Sequence, residues 1–308
     1  MAEFEVFDDA RRFGGAIESL VGRDPIGATM LSAVLAGQLA DPAPPGAAPL
    51  LACVRDVDGP AAAVLRIPSY PLLIVADPAL GSRAGTMDML AGALAATGER
   101  IVGLHGRREV VRALAAAWQE RTGAMVQPRM WSLYYRLARL VETPAVPGRP
   151  RPLVDDDPTQ VALLAGWLRR FEVETGVARG GHAADCEYVR QAVRRGSVYT
   201  LWWLDGTAVS VAGRSAMRAD GGCRIAPVYT PPEHRRRRFG AAATVAAIHS
   251  ASAAGATEVT LFTDEDYRPA NDMYRSLGFE PVAEFAEFDL AEPGAPTRPA
   301  PANGVAAR

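Results

Sequence analysis

Residues 226–242 read Ala-Pro-Val-Tyr-Thr-Pro-Pro-Glu-His-Arg-Arg-Arg-Arg-Phe-Gly-Ala-Ala, and this order decides how the second half of the chain folds. Val228 and Tyr229 close an apolar strand that ends at Thr230. Pro231 and Pro232 stop it, because proline cannot donate to a ladder. Arg235 to Arg238 then lead through Gly240 into an alanine-rich helix. The first N–H groups of that helix have no intrahelical partner, and its dipole adds positive potential there. A strand that feeds a basic loop at a helix start makes an anion pocket, and a diphosphate is its natural ligand.

Working outward, Asp157-Pro158 reads as a helix cap with proline at the first helical position. Val161, Leu164, Leu168 and Phe171 follow at helical spacing. A second helix is expected at about 183–195. Three strands follow at 198–204, 208–217 and 223–230, with Asp205-Gly206 and Asp220-Gly221-Gly222 as turns. A helix is expected at 240–254, stopping at Gly255. A strand at 258–263, a short helix at 270–277 ending at Gly278 and a final strand region at 282–290 complete the half. The order is α-α-β-β-β-α-β-α-β.

Residues 1–143 read in a similar order, with helices near 9–21 and 25–39 and strands near 50–55, 61–67 and 72–75. A helix at 86–96, a strand at 101–104, a helix at 109–121 and a strand at 125–137 follow. The two halves thus read as a diverged tandem repeat of one α/β unit with a mixed sheet. Pro-Ala-Val-Pro-Gly-Arg-Pro-Arg-Pro at 144–152 cannot sustain helix or a central strand and is expected to be the linker between domains 1–143 and 153–290. The Pro- and Ala-rich tail, 291–308, is expected to be disordered.

Composition limits the function classes. The chain has 308 residues, enough for two ordinary domains. Lysine is absent, so arginine carries the basic charge, yet the net charge is −2, which argues against a nucleic-acid binder. Cys53, Cys186 and Cys223 are scattered without metal-ligand spacing and read as reduced thiols of a cytoplasmic protein. Glu3, Glu5, Asp8 and Asp9 stand where a signal peptide would need positive charge. No apolar run is long enough to span a bilayer.

Three separated pieces of the second half resemble the acetyl-CoA-binding core of the GNAT acetyltransferase superfamily. They are Val228-Tyr229-Thr230-Pro231-Pro232-Glu233-His234-Arg235, the Arg-rich loop into Gly240-Ala241-Ala242, and Leu261-Phe262-Thr263-Asp264 followed by Asn271, Tyr274 and Leu277-Gly278-Phe279-Glu280-Pro281-Val282. The resemblance covers about residues 153–290. It implies two GNAT-like mixed-sheet α/β domains in tandem, the N-terminal one degenerate, and an N-acetyltransferase that uses acetyl-CoA as co-substrate and no metal. The acceptor would be a small-molecule or peptide amine, attacking directly. Neither nucleic acid nor membrane is an implied partner; a homodimer is compatible.

The resemblance also implies roles for residues. Backbone groups of Val228, Tyr229 and Thr230 would pair with the pantetheine arm, in a splay between two strands. Backbone amides of Arg236, Arg237, Arg238, Phe239, Gly240 and Ala241 would cradle the diphosphate. Asn271 would bond the pantetheine arm, and Tyr274 would protonate the leaving thiolate. The family pattern Arg/Gln-x-x-Gly-x-Gly/Ala, counted from the strand, begins at Arg235 and puts Arg238 where glycine is usual. Arg236 also replaces a common glycine. Both substitutions would be tolerated if φ stays negative.

For the general base the sequence offers Glu174, on a helix that would border the acceptor site, with Glu187, Glu233 and Asp264 as further candidates and a water chain as another route. His182, His234 and His249 lack partners at ligand spacing and read as structural or exposed; His105 follows a strand. Alternatives stay open: Arg235–Arg238 as a solvated basic patch, Tyr274 as a core aromatic, Asn271 as a cap, and the whole as a non-catalytic acyl-CoA-binding module. In the first half, Asp77 to Gly85 has no arginine run and no Asn-x-x-Tyr follows. That half is expected to have lost cofactor binding, completing the core and walling the acceptor site.

Overall fold

The computed structural model describes residues 3–40, 48–77, 84–176, 185–218 and 220–291. Of the expected disordered tail only Ala291 is described, as the last residue of a strand; 292–308 and His182 lie outside the described residues. The described residues form two compact units, 3–132 with 283–291, and 133–282.

Unit 1 opens with β1 (Glu3–Phe7), α1 (Ala10–Arg23) and α2 (Thr29–Ala40). β2 (Leu50–Asp56), β3 (Gly59–Arg66) and β4 (Leu72–Ala76) follow as an antiparallel meander. α3 (Ala84–Ala96) crosses over to β5 (Gly103–Arg107), parallel to β4. α4 (Arg108–Thr122) then leads into β6 (Met125–Leu137). One sheet face buries Phe13, Ile17 and Leu20 of α1 against Leu51, Ala63 and Leu65. The other buries Leu90 and Leu94 of α3 and Val111 and Leu114 of α4 against Val64, Ile74 and Leu104. Alternate residues of β3 thus serve opposite faces, as the two-residue strand period requires. β1 went unforeseen: Glu3 and Glu5, read from the sequence only as standing where a signal peptide would need positive charge, alternate with apolar residues along an edge strand.

Unit 2 contains the last five residues of β6, then β7 (Arg149–Pro152), α5 (Pro158–Thr175) and α6 (Cys186–Arg194). β8 (Val198–Leu204), β9 (Thr207–Arg214) and β10 (Gly222–Tyr229) form its meander, and α7 (Phe239–Ala253), β11 (Glu258–Asp264), α8 (Arg268–Ser276) and β12 (Phe279–Ala291) follow. The strands lie in the order β6-β11-β10-β9-β8-β7. The last four residues of the proline-rich stretch form β7, paired Pro150 to Trp202 and Pro152 to Thr200. Its place at the end of the order reconciles this with its prolines, since an edge strand tolerates missing donors. The division between units falls within β6 and β12, whose ends belong to different units, where composition gives no sign.

Two helices set the layers of unit 2. In α5, the Asp157 carboxylate accepts from the amides of Thr159 and Gln160 at 2.9 and 3.2 Å, and Gly176 closes the helix at φ +69°. Its buried Val161, Leu164 and Leu168 pack on Tyr199, Leu201 and Val211. On the other face lies α7, whose small side chains let nearly the whole helix sink against Ala212, Ile225 and Leu261.

Candidate active site

β10 and β11 start as parallel neighbours, pairing Gly222 with Glu258, Cys223 with Val259 and Arg224 with Thr260. Beyond those pairs the ladder stops, although β10 runs on to Tyr229 and β11 to Asp264. The strands therefore splay toward their C-terminal ends, leaving backbone of β10 without a strand neighbour on that side. On its other side β10 stays paired to β9, with Val228 opposite Ala212 and Tyr229 opposite Val211, but a bulge falls between Ile225 and Val228. The bulge shifts the alternation by one. Cys223, Ile225 and Val228 thus share the α7 face, and Tyr229 is turned toward α5.

Pro232–His234 forms a single 3-10 turn after the strand, and α7 begins at Phe239. The amides of Arg235 and Ala242 are taken by the carbonyls of Pro232 and Arg238, which brackets the turn. The first amides of α7 have no carbonyl one turn behind them. Arg236 and Arg238 sit at φ +59° and +63°. The condition of negative φ is therefore not met. The two arginines occupy the left-handed conformation that glycine would favour, at a cost of about 1 kcal/mol each. Arg238, three residues after Arg235, has the conformation of the glycine in the pattern counted from the strand. Left-handed residues beside right-handed ones turn successive N–H groups into one concavity suited to an anion. The side chains of Arg236, Arg237 and Arg238 are exposed, and Arg237 lies over the ring of buried Phe239, 4.8 Å from its centroid.

Gly240 touches the end of the strand. A Cβ there would lie 3.2 Å from Thr230 Oγ1, 3.7 Å from Met273 Sδ and 4.0 Å from Val228 Cγ1. Thr230, Val228, Gly240 and α8 therefore converge at the mouth of the splay. Ser210 fixes Thr230, its hydroxyl lying 2.8 Å from Thr230 Oγ1 while donating to the Tyr229 carbonyl at 3.1 Å.

Glu174, near the end of α5, has both oxygens engaged. The Tyr229 hydroxyl donates to Oε1 at 2.8 Å, and Arg235 Nη2 pairs with Oε2. The Nε of Arg235 donates to the Thr230 carbonyl at 2.9 Å, and its guanidinium lies 5.8 Å from the Tyr229 ring centroid. Burial, with the neighbouring carboxylate, pushes the Tyr229 phenol up to about 12.

Asn271 is engaged within the chain itself. Its side chain is buried; Nδ2 donates to the carbonyls of Asp264, Glu265 and Tyr267 at 2.8, 3.2 and 3.1 Å, and Oδ1 accepts from the Tyr135 hydroxyl at 3.0 Å. It braces the turn between β11 and α8. Tyr274, one turn on, packs edge-to-face on Phe279 and tilted against Tyr135. Burial, then the nearby Tyr267 hydroxyl, holds its phenol well above the ordinary tyrosine value.

The remaining candidates are dispersed. Glu187 pairs with Arg194 on exposed α6. Glu233 and His234 line an open pocket with Trp167 and Arg170. Asp264 ends β11, and burial raises its carboxyl while its Oδ1 accepts from the Asp266 amide at 3.0 Å. His249 meets Glu142 at 2.8 Å on the surface. His105, in unit 1, stacks on Phe285 with Nδ1 3.7 Å from Glu287. Ser210, Tyr135 and Met273 were not foreseen. Ser210 and Tyr135 reach the site from strands distant in sequence, with no local motif, whereas Met273 lies between Asn271 and Tyr274 on the helix already singled out.

No curated protein matches the chain. Residues 165–279 match the model of the Acetyltransferase (GNAT) family. A tandem GNAT protein from the clavulanic acid biosynthesis pathway is 18% identical, with a TM-score of 0.63 over 96% of this chain and 100% of that one. A GCN5-related N-acetyltransferase from Sphaerobacter thermophilus is 16% identical, with a TM-score of 0.62 over 96% of this chain and 97% of that one. Another, from Kribbella flavida, is 25% identical, with a TM-score of 0.51 over 88% of this chain and 96% of that one. With the splayed strands and the turn between β10 and α7, these matches show that the chain has the tandem GNAT fold, with residues 165–279 matching the Acetyltransferase (GNAT) family model.

Proposed function

We propose that unit 2 transfers an acetyl group from acetyl-CoA to an amine, a small molecule or a peptide. The observation that carries this reading is the convergence of the β10–β11 splay with the left-handed arginine turn at the start of α7. Acetyl-CoA would supply a thioester carbonyl already activated toward an amine. Backbone of Val228, Tyr229 and Thr230 at the splay suits pairing with the amides of a pantetheine arm. The amides of Arg236, Arg237, Arg238, Phe239, Gly240 and Ala241, at the start of α7, suit a diphosphate. Tyr274 keeps its proton at neutral pH, as an acid that protonates a thiolate must.

Titration of acetyl-CoA into wild type and the Gly240→Glu variant tests the site, and an amine screen with wild type and Tyr274→Phe tests the reaction. Binding by wild type alone with amine-dependent release of CoA supports the reading. Binding without turnover on any amine would make the chain an acyl-CoA carrier, and no binding would remove acetyl-CoA altogether.

A further inference from the structure

We propose that Glu174 is a positioning residue, which holds the diphosphate turn in shape from helix α5 by pinning Arg235. Four contacts carry the inference. Arg235 pairs with Glu174 Oε2, donates from Nε to the Thr230 carbonyl at 2.9 Å and stacks its guanidinium on Tyr229, whose hydroxyl takes the other oxygen of Glu174 at 2.8 Å. The first arginine of the run is thus turned back against the end of the strand, while the next three are exposed.

The geometry closes a small loop. Thr230 and Arg235 are tied side chain to main chain, and the Arg235 amide bonds the Pro232 carbonyl at 3.3 Å. The residue after this loop is Arg236, the first of the two in the left-handed region. Holding non-glycine residues there requires that the surroundings over-determine the backbone. Glu174 supplies that constraint from a separate element, the capped helix α5. Remove its charge, and Arg235 is free to leave the strand end. The turn can then relax toward negative φ, and its amides no longer converge. Having both oxygens committed, Glu174 contributes to binding through Arg235, not by taking a proton from the acceptor.

Two measurements on the full chain test this. The first needs no ligand: hydrogen exchange of the two bonded amides that bracket the turn, Arg235 and Ala242, in wild type and Glu174→Gln. The latch requires exchange faster by on the order of tenfold in the variant, the scale of a lost hydrogen bond to a charged group. Unchanged exchange overturns it. The second rests on the acetyl-CoA reading: the Glu174→Gln loss should fall on KM for acetyl-CoA, about tenfold, rather than on kcat. Arg235→Gln should do the same, and the double variant should lose no more than either single one. A fall confined to kcat, or additive losses, would overturn the latch in favour of separate roles. Failure of wild type to bind acetyl-CoA would sink the functional reading while the exchange result still decides the latch.

Discussion

Thr230 and Gly240 face each other so closely that a Cβ on Gly240 would stand 3.2 Å from Thr230 Oγ1, and that oxygen is tethered to the Ser210 hydroxyl at 2.8 Å. The end of the strand and the start of the helix are thus joined through a contact that only glycine leaves open. Gly240 is needed here for space, not for an unusual φ. Gly240→Ala should leave folding stability within about 1 kcal/mol, because the gain in helix propensity offsets the crowding. Acetyl-CoA affinity should nevertheless fall about tenfold, as Thr230 is pushed into the mouth of the splay. Thermal melts and calorimetric titration read the two effects separately; an alanine variant that binds like wild type would show that the contact plays no part in binding.

Arg236 and Arg238 pay a conformational cost that a structural role alone would not require. Replacing either with glycine should raise stability by about 1 kcal/mol, a Tm increase of about 2 °C in a chain of this size. Acetyl-CoA binding should weaken at the same time and lose part of its salt dependence, because an exposed positive charge next to the diphosphate is gone. Titration at two ionic strengths checks this. A glycine variant that is both more stable and a tighter binder would mean the arginines serve some other purpose.

The sequence made the repeated order of elements legible, because helices with i, i+4 apolar spacing and strands bounded by Asp-Gly turns declare themselves locally. The long strands Met125–Leu137 and Val198–Leu204 matched their expected limits. The strand end and the turn into the helix were legible because they are contiguous, from Val228 to Ala241. Cross-element facts were not. Nothing near Asn271 announces that Tyr135 will bond it, and nothing near Glu174 announces Arg235. The bulge between Ile225 and Val228, which turns Tyr229 toward α5, is set by pairing with β9 rather than by the residues of β10 alone. The left-handed φ at Arg238 was not legible for a related reason: tertiary constraint overrode the local preference.

Asn271 satisfies three carbonyls and one phenol in a buried position. Asn271→Ala should therefore cost about 3 kcal/mol, since several buried groups lose their partner at once. Tyr135→Phe removes one hydroxyl and keeps the ring, and should cost about 1 kcal/mol. Urea denaturation of both variants tests the ranking. Equal losses would mean that water replaces the amide, and the turn from Asp264 to Tyr267 does not depend on it.

Tyr274 is packed so that removal of its hydroxyl changes little else: the ring meets Phe279 edge-to-face at 5.9 Å and Tyr135 at 6.5 Å. Tyr274→Phe should thus fold normally and bind acetyl-CoA as wild type does. If the hydroxyl protonates the leaving thiolate, kcat should fall by about a hundredfold with KM for acetyl-CoA little changed. The pH dependence gives an independent check. Burial disfavours the phenolate, so the proton stays on through the whole neutral range and is lost only well above the ordinary tyrosine value. The wild-type kcat profile should accordingly show no alkaline fall from this group below a pH of about 10. A fall near pH 8 that disappears in Tyr274→Phe would contradict the buried, protonated state; an unchanged kcat in that variant would return Tyr274 to the core.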